Sequence, residues 1–208
     1  MHNIIQNLKI IYWFFTRFIP TIWNCWCSGI GYDISWCVVG RPKVDKRSWF
    51  AKRMLKRVGG TMTIGKNFTC LNNVSSNSIG LIQPCFFNYS TDNAKLTIGN
   101  NVGISGSTLN CTKSITIGDN TNIGSGCIIS DTDSHPIHWL TRRNNTEKAP
   151  KAPIVIGNDV FIGARCIILK GVTIGDGAVI GAGSIVVKNI PPRVIACGNP
   201  AKVVKEIL

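Results

Sequence analysis

The sequence predicts an all-β fold in which short strands stack into one long parallel coil, and two observations predict it. From residue 61 onward an aliphatic side chain recurs every six residues, and Gly, Asn and Asp occupy most of the positions between. A spacing of six cannot form the apolar stripe of an α-helix, which needs positions three and four apart. Strands joined by tight turns fit both observations, because each aliphatic residue then packs on its equivalent in the next turn.

The repeat is most regular near the C-terminus, where "IGNDVF", "IGARCI", "ILKGVT", "IGDGAV" and "IGAGSI" follow one another without slippage. Glycine, asparagine and aspartate suit the turns because they tolerate positive φ. Ten units can be aligned, and they begin at Ile64, Ile98, Ile104, Ile117, Ile123, Ile156, Ile162, Ile168, Ile174 and Ile180.

Composition limits the class of protein and of partner. The chain of 208 residues, 44% of them hydrophobic, can bury the core of one domain with an appendage. Its net charge of +13 indicates an anionic partner, such as a phosphate-bearing cofactor, an acidic glycan or a membrane surface. The nine cysteines are scattered and form no C-x-x-C pair, so we predict neither disulfides nor a zinc site. Cys127 and Cys166 occupy repeat positions held elsewhere by small residues, which indicates small buried hydrophobes in a reducing cytoplasm.

Residues 1–60 lie outside the repeat and are predicted to form a helical N-terminal extension. The stretch 4–27 is apolar and aromatic, but two cations and a proline divide it, leaving uncharged runs well short of the roughly 20 residues that a membrane span needs. It also lacks the basic start and the cleavage site of a signal peptide. Two readings of residues 1–30 stay open. They either lie on the inner face of the cell membrane, or pack as a helix on the protein or its oligomer.

The repeat is expected to span residues 61–190 with one interruption. The six-residue register is lost over the loop 135–153, "HPIHWLTRRNNTEKAPKAP", and loops of this length in compact folds are usually functional or disordered. Residues 191–208 then close the chain with paired prolines, a Gly-Asn-Pro turn and a short amphipathic helix expected to begin near Ala201.

These hexads, the His-Pro loop and the tail "KNIPPRVIACGNPAKVVKEIL" resemble the hexapeptide-repeat acyltransferases, and are most similar to the maltose, galactoside and xenobiotic acetyltransferases. The resemblance covers roughly residues 61–208. It implies a left-handed parallel β-helix with three hexads per triangular coil, acetyl-CoA as co-substrate, and no metal. It also implies a homotrimer in which each active site forms where the loop of one subunit meets the coil of its neighbour.

The stretch "SDTDSHPIHWL" supplies the candidate catalytic residues. His135 matches the general base of the family, and histidine can accept the proton of an acceptor hydroxyl and return a proton to the departing thiolate. Pro136 favours an extended backbone at His135. A carboxylate bonded to one ring nitrogen would leave the other free as the base. We predict Asp133 in that role with Asp131 as the alternative, unless both carboxylates only cap turns.

The rest of the loop offers an acceptor site rather than a metal site. His135 and His138 form an H-x-x-H pair, but no third ligand at a suitable spacing accompanies them, so no metal is predicted. Trp139 and Arg142, with Arg143, are the predicted carbohydrate-binding residues, because an aromatic ring can cover a sugar face and cations can bind an acidic group.

The coenzyme-binding residues are implied by the resemblance alone. It assigns three positions to the pantetheine arm and three cations to the phosphates, namely Ala164, Ala182, Val187, Lys188, Lys202 and Lys205. The relatives carry arginine where this chain has the two tail lysines, so charge is kept and bidentate geometry is lost. A tryptophan of the relatives is Phe161 here.

The leading hypothesis is an acetyl-CoA-dependent O-acetyltransferase acting on a sugar hydroxyl in bacterial surface polysaccharide biosynthesis, because the aromatic, basic N-terminal segment favours an acceptor at a membrane. An N-acyltransferase of a nucleotide amino sugar would use the same residues. A non-enzymatic β-helix scaffold is the other alternative, and its carbonic-anhydrase-like form needs three zinc histidines, whereas one of the three here is the terminal His2. No nucleic-acid-binding module is recognisable, so nucleic acid is not a predicted partner.

Overall fold

The computed structural model describes residues 38–39, 60–71, 77–89, 91, 93–144 and 146–207. The expected N-terminal helical extension, including the candidate membrane segment 1–30, therefore lies outside the described residues except for Val38–Val39 and Gly60. In the part of the chain that is described, no helix is long and apolar enough to cross a membrane.

The described residues form three sheets and one short helix, α1 (Trp139–Asn144). Face A contains β1 (Val38–Val39), β4 (Phe86–Asn88), β7 (Thr108–Asn110), β10 (Ile128–Ser130), β13 (Ile167–Ile168) and β16 (Ile185–Val186). Face B contains β2 (Thr61–Ile64), β5 (Lys95–Ile98), β8 (Ser114–Ile117), β11 (Ile154–Ile156) and β14 (Thr173–Ile174). Face C contains β3 (Thr69–Leu71), β6 (Gly103–Ser105), β9 (Asn122–Ile123), β12 (Phe161–Ile162), β15 (Val179–Ile180), β17 (Val194–Gly198) and β18 (Ala201–Glu206).

The chain visits faces B, C and A in turn, so each three strands make one coil: β2 to β4 form coil 1 and β14 to β16 form coil 5. Every strand pairs in parallel with its equivalent one coil away, apart from the last pair. This confirms the left-handed parallel β-helix that the six-residue repeat and the resemblance predict. Three corners separate the faces, and we name them A/B, B/C and C/A.

The repeating aliphatic residues form the core as columns along each face. In face B, Ile117 pairs in register with Ile156, which pairs with Ile174 in the next coil. Each of these side chains is at most 1% exposed. Burial of a side chain of this size stabilises the fold by about 1.5–3 kcal/mol. Because the strands are parallel and in register, the columns continue without a break through the coils.

The asparagines and aspartates of the repeats form a ladder along corner B/C. Asn100 Oδ1 accepts a hydrogen bond from the Lys66 backbone N–H at 2.9 Å, and Asp119 Oδ1 accepts one from the Asn100 backbone N–H at 2.7 Å. The same contact recurs one coil on, where Asn158 Oδ1 binds the Asp119 N–H at 2.9 Å. The Asn100 N–H holds the pKa of Asp119 below its ordinary value. Short polar side chains thus satisfy the turn amides of the neighbouring coil.

The cysteines of the repeats are buried, as the sequence predicts. At corner C/A one inward position is filled by cysteine or serine in successive coils. The Cys127 thiol donates to the Gly163 carbonyl at 3.1 Å, and the Ser107 hydroxyl makes the same bond to Gly124 at 2.8 Å. Hydrogen bonding with Cys166 and burial raise the pKa of Cys127. These cysteines serve as small core residues whose thiols donate hydrogen bonds to backbone carbonyls.

The predicted C-terminal helix is wrong. Residues Ala201–Glu206 form the strand β18, which turns back through Asn199 and Pro200 and pairs antiparallel with β17. Two adjacent β-branched residues, Val203 and Val204, favour a strand, and the pairing covers the outer edge of face C that the final coil would expose.

A bulge in this hairpin changes which side chains share a surface. Lys202 pairs with Cys197 and Lys205 pairs with Ile195, while the register shifts between Ile195 and Ala196. Since residues two apart in β17 point to the same side, both lysines lie on its outward side, opposite the buried Ala196. The two lysines therefore share one side of the strand, as they would on the helix that the sequence predicts.

Candidate active site

The interrupting loop leaves the coil at corner A/B, between β10 and β11. Its two ends are joined by an antiparallel bridge between Thr132 and Lys151. The Asp133 N–H donates to the Pro150 carbonyl at 3.1 Å, and the Ala152 N–H donates to the Asp131 carbonyl at 3.0 Å. A short two-stranded neck thus fixes the position from which the loop projects.

Asp131 anchors this neck to the coil above. Its side chain is fully buried. Oδ1 accepts hydrogen bonds from the Thr112 N–H and the Thr112 hydroxyl, both at 2.8 Å, and Oδ2 accepts one from the Lys113 N–H at 2.7 Å. Because three donors occupy this carboxylate, Asp131 serves to position the loop, and the structure gives it no contact with His135.

Asp133 has a partner that sequence spacing did not reveal. Its Oδ1 lies 2.7 Å from the Lys170 ammonium nitrogen, and both side chains are slightly less than one third exposed. Lys170 is far away in sequence and is brought here because it follows β13 at the same corner, one coil below. The pair ties the loop to coil 4, so the loop is held from above and from below. Its predicted bond to His135 stays a prediction.

His135 projects from this fixed base into solvent. Ser134, directly before it, has a φ of 64°, and its N–H donates to the Thr132 hydroxyl at 3.1 Å. This left-handed backbone costs a residue other than glycine about 1 kcal/mol. Pro136, directly after it, is buried. Among the described residues the imidazole has no hydrogen-bond partner, so the backbone is held while both ring nitrogens stay open to a ligand or a second subunit.

The predicted acceptor residues cluster on α1 and just before it. The Trp139 ring is 53% exposed, its centroid lies 6.1 Å from that of the His138 ring, and the Arg143 guanidinium lies 5.1 Å from it. Arg142 Nη1 donates to the Ile137 carbonyl at 3.2 Å and more weakly to that of Pro136 at 3.5 Å. The Trp139 ring thus presents an exposed aromatic surface, whereas Arg142 binds carbonyls of its own loop.

The six coenzyme-binding candidates divide into two sets. Ala164 and Ala182 occupy equivalent places at corner C/A in coils 4 and 5, and the two lysines of β18 lie on face C beside them. Val187 and Lys188 instead follow β16 at corner A/B, two coils below the loop that carries His135. Corner A/B faces away from face C in a three-sided coil. Within one chain, therefore, His135 and the first set lie on opposite sides.

Comparisons with known proteins support the repeat fold on both sides of the loop. A family profile described as "Hexapeptide repeat of succinyl-transferase" matches residues 114–131 and 153–188, on either side of the loop. The galactoside O-acetyltransferase of Escherichia coli K12 is 50% identical over 93 residues, 45% of this chain and 44% of that protein. The chain belongs to the hexapeptide-repeat acetyltransferase family.

Two solved structures of hexapeptide-repeat acetyltransferases share its fold. A galactoside acetyltransferase in complex with coenzyme A is 37% identical with a TM-score of 0.51, over 70% of this chain and 65% of that one. An acetyltransferase from Vibrio cholerae O1 biovar eltor complexed with acetyl coenzyme A is 31% identical with a TM-score of 0.54, over 60% and 66% of the two chains. The match thus spans less than half of the curated Escherichia coli relative and about two thirds of these structures.

This hexapeptide-repeat acetyltransferase also carries polar residues near the loop that sequence analysis missed. Asn88 Nδ2 donates to Asn110 Oδ1 at 2.7 Å, and Asn110 Nδ2 donates to the Ser130 hydroxyl at 3.1 Å. Ser130 in turn donates to the Thr132 carbonyl at 3.0 Å. The sequence does contain a signal for this ladder, because the last residue of each face A strand is polar in coils 1 to 3. The ladder leads from coil 1 to the neck of the loop.

In the described part of the chain, face C carries a groove of about 530 Å³. Its floor includes Gly103, where a Cβ would lie 2.7 Å from Asn122 Oδ1, so the Asn122 side chain of the next strand occupies the place of a side chain. Phe161, 51% exposed, closes the lower end. The aromatic residue that replaces the tryptophan of the relatives therefore lines an open cleft on the side of the coil that holds the first coenzyme set.

The two aspartates of the loop are expected to differ in their effect on stability. Asp131→Ala leaves three partly buried donors without an acceptor and should lower the free energy of unfolding by about 2–4 kcal/mol. Asp133→Ala removes one partly exposed ion pair and should cost less than about 1 kcal/mol. Urea unfolding followed by circular dichroism measures both. Equal losses in the two variants would contradict the anchoring role of Asp131.

Proposed function

We propose that this chain is an acetyl-CoA-dependent O-acetyltransferase that acts on a sugar hydroxyl in bacterial surface polysaccharide biosynthesis. The observation that carries the proposal is the held loop of corner A/B, which presents an unpartnered imidazole on the frame of this family. The named relatives acetylate galactosides or bind acetyl-CoA, and the exposed Trp139 ring offers a surface for a sugar face.

The proposed reaction needs one base and one coenzyme. His135 accepts the proton of the acceptor hydroxyl as its oxygen attacks the thioester carbonyl, and the carbon–sulfur bond then breaks as the imidazolium returns the proton to sulfur. The products are the acetylated sugar and coenzyme A with a free thiol. A backbone N–H of the coil wall stabilises the tetrahedral oxyanion. Asp133 orients the imidazole in this proposal, with its own position set by Lys170.

The proposal also requires more than one copy of the chain. His135 lies at corner A/B and the first coenzyme set lies at corner C/A and on face C, so a single copy cannot bring them together. A second copy that docks its corner A/B beside face C of the first would complete the site. In a homotrimer, three such head-to-tail interfaces close into a ring. Every copy then contributes its corner A/B to one complete site and its face C to another.

The coenzyme phosphates are expected to bind Lys188, Lys202 and Lys205. The triple alanine variant should raise the KM for acetyl-CoA by about tenfold or more, since each lost charge-assisted contact weakens binding. Added salt should raise the native KM in the same direction, because it screens exposed charges. Steady-state kinetics at two ionic strengths measures both effects. An unchanged KM in the triple variant would remove these lysines from the site.

Mass spectrometry of the surface glycan tests the proposed substrate. Cells that lack this protein should produce glycan lighter by the mass of an acetyl group on one sugar, and the gene for native protein should restore it. Restoration must fail with His135→Ala. A glycan of unchanged mass would contradict the polysaccharide role and leave other sugars as acceptors.

Residues 1–30 are proposed to hold the enzyme at the inner face of the cell membrane, where a lipid-linked acceptor would lie. Their aromatic residues and cations suit the interface of an anionic bilayer. The full chain should sediment with vesicles containing anionic lipid, and a chain that begins near Lys43 should stay in the supernatant. If the full chain also stays in the supernatant, these residues are packing elements of the oligomer.

A further inference from the structure

A second cleft lies at corner C/A, outside the residues that the proposed reaction uses. The segment 77–84, which precedes β4 in the connection from β3, runs down this corner over the coils below. Leu81 is buried, and its Cδ2 would lie 3.1 Å from a Cβ placed on Gly106. The Ser125 hydroxyl donates to the Gly80 carbonyl at 2.9 Å, and Gln83 Nε2 donates to the Thr108 hydroxyl at 2.8 Å. These contacts fix the segment against coils 2 and 3.

Between this segment and the coil lies a cleft of about 250 Å³ with one apolar and one cationic wall. Ile79 and Ile82 form the apolar wall and are 63% and 75% exposed. Gly126 forms the floor, since a Cβ there would lie 3.5 Å from Ile82 Cδ1 and 3.6 Å from Arg165 Cγ. Arg165 forms the opposite wall. Large aliphatic side chains that remain this exposed to solvent beside a preformed cleft indicate a ligand-binding site.

Arg165 is a cation without a counter-ion. Among the described residues it makes no ion pair, and residues 77–84 and the neighbouring turns of this corner contain no Asp or Glu. Its φ is 59°, in a turn position that other coils fill with glycine, as at Gly126 and Gly183. Arg193 has a similar φ of 53° at corner B/C, and it lines neither this cleft nor the groove of face C. Arg165 is distinguished by the cleft it lines, since Lys170–Asp133 is the one ion pair of the described residues and the other cations there are unpaired too.

The position of the cleft selects which anion it would hold. Arg165 follows Ala164, the upper of the two pantetheine candidates at this corner, and the cleft rises from there into coil 3. The lysines proposed for the coenzyme phosphates lie below, after β16 and on β18. Coils are about 4.8 Å apart. If the phosphates bind below, the thioester end of the proposed coenzyme path lies above. The cleft lies beside that upper end, where an acceptor must meet the thioester.

We propose that this cleft binds an acidic sugar acceptor, with Arg165 pairing to its phosphate or carboxylate and Ile79 and Ile82 covering an apolar face of its ring. The inference rests on the proposed function for the identity of the ligand as acceptor, and it names the acceptor class as anionic. Trp139 from the loop of a second copy would meet another part of the same acceptor, because the loop and the cleft lie at different corners of one chain.

The test uses two matched arginine variants. Arg165→Gly places glycine where two other coils already have it, so the fold is expected to survive. Arg193→Gly removes the same side chain from the same backbone conformation at a different corner. Isoleucine methyl NMR of the full chain then follows titrations with glucose 1-phosphate and with glucuronate, with neutral glucose as the control ligand.

At least one of the two anions should shift the Ile79 and Ile82 methyl signals in the native chain and in Arg193→Gly, and glucose should shift them far less. Arg165→Gly should weaken that binding about tenfold or more. Arg165→Lys should recover part of it, because charge remains while the planar geometry is lost. If neither anion shifts these signals, or if Arg165→Gly binds as the native chain does, the proposal is wrong.

Acetyl-CoA affinity separates the two possible sources of the anion. Its Kd should be the same in Arg165→Gly and in the native chain. A tenfold rise in that Kd would assign the cation to the coenzyme phosphates and overturn the acceptor assignment. If the native chain binds an anionic sugar but never binds acetyl-CoA, anion binding in the cleft is supported and the proposed acetyltransferase activity is contradicted.

Discussion

Replacing His135 by alanine should lower kcat by about 10²–10⁴-fold, the usual contribution of a positioned general base. The loss should appear in kcat while the Kd for acetyl-CoA stays unchanged, because the imidazole is exposed and contributes nothing to the stacked core. Steady-state kinetics, with unfolding curves for both proteins, measures these effects.

His138→Ala is the matched control, since it removes the same side chain three residues away on the same loop. His138 stacks beside the Trp139 ring, so its loss should alter the KM for the acceptor and leave kcat nearly native. Near-native turnover by His135→Ala, or a larger loss in His138→Ala, would show that the base has been assigned to the wrong residue.

Mixing two inactive variants should restore activity. His135→Ala removes the base at corner A/B, and Ala182→Trp fills the predicted pantetheine path at corner C/A. Each variant alone should be nearly inactive. In every mixed trimer one of the three interfaces combines an intact loop from one copy with an intact groove from the other, so about one third of the native sites are recovered. Co-expression with two affinity tags, followed by an acetyl-transfer assay on the doubly tagged fraction, measures the recovery.

A second pair of variants controls this experiment. Ala182→Trp mixed with Lys202→Ala/Lys205→Ala alters the same half of the site in every copy, so no interface combines two native halves. Activity should therefore stay at the level of the less damaged variant. If the first pair also shows no recovery although mixed oligomers form, the site lies within one copy and the head-to-tail arrangement is excluded.

The sequence alone predicts the architecture because the spacing of the repeat determines how the strands stack. An aliphatic residue every six positions, with turn residues between, leaves few ways to bury a continuous core, and the columns through Ile117, Ile156 and Ile174 follow directly. The buried cysteines are predicted for the same reason, since each occupies a core position that recurs. The break in register at His135 is as visible in the sequence as the repeat itself.

The C-terminal segment shows where local pattern misleads. Residues 201–206 fit an amphipathic helix, but an unpaired edge of face C lies beside them, and pairing with β17 satisfies backbone groups that an isolated short helix would leave exposed. The bulge then returns Lys202 and Lys205 to one side. The contacts with β17 thus made this segment a strand instead of the predicted helix, but Lys202 and Lys205 still lie on one surface.

By itself the sequence determined the coiled core, the place of the loop and the histidine that the loop presents, because each depends on residues close together in the repeat. Only the tertiary structure decided the roles of the loop carboxylates. Asp131 meets Thr112, 19 residues away, and Asp133 meets Lys170, 37 residues away, because strands β7, β10 and β13 become neighbours when the coils stack. No spacing along the chain encodes those contacts, since they depend on how many residues separate one coil from the next.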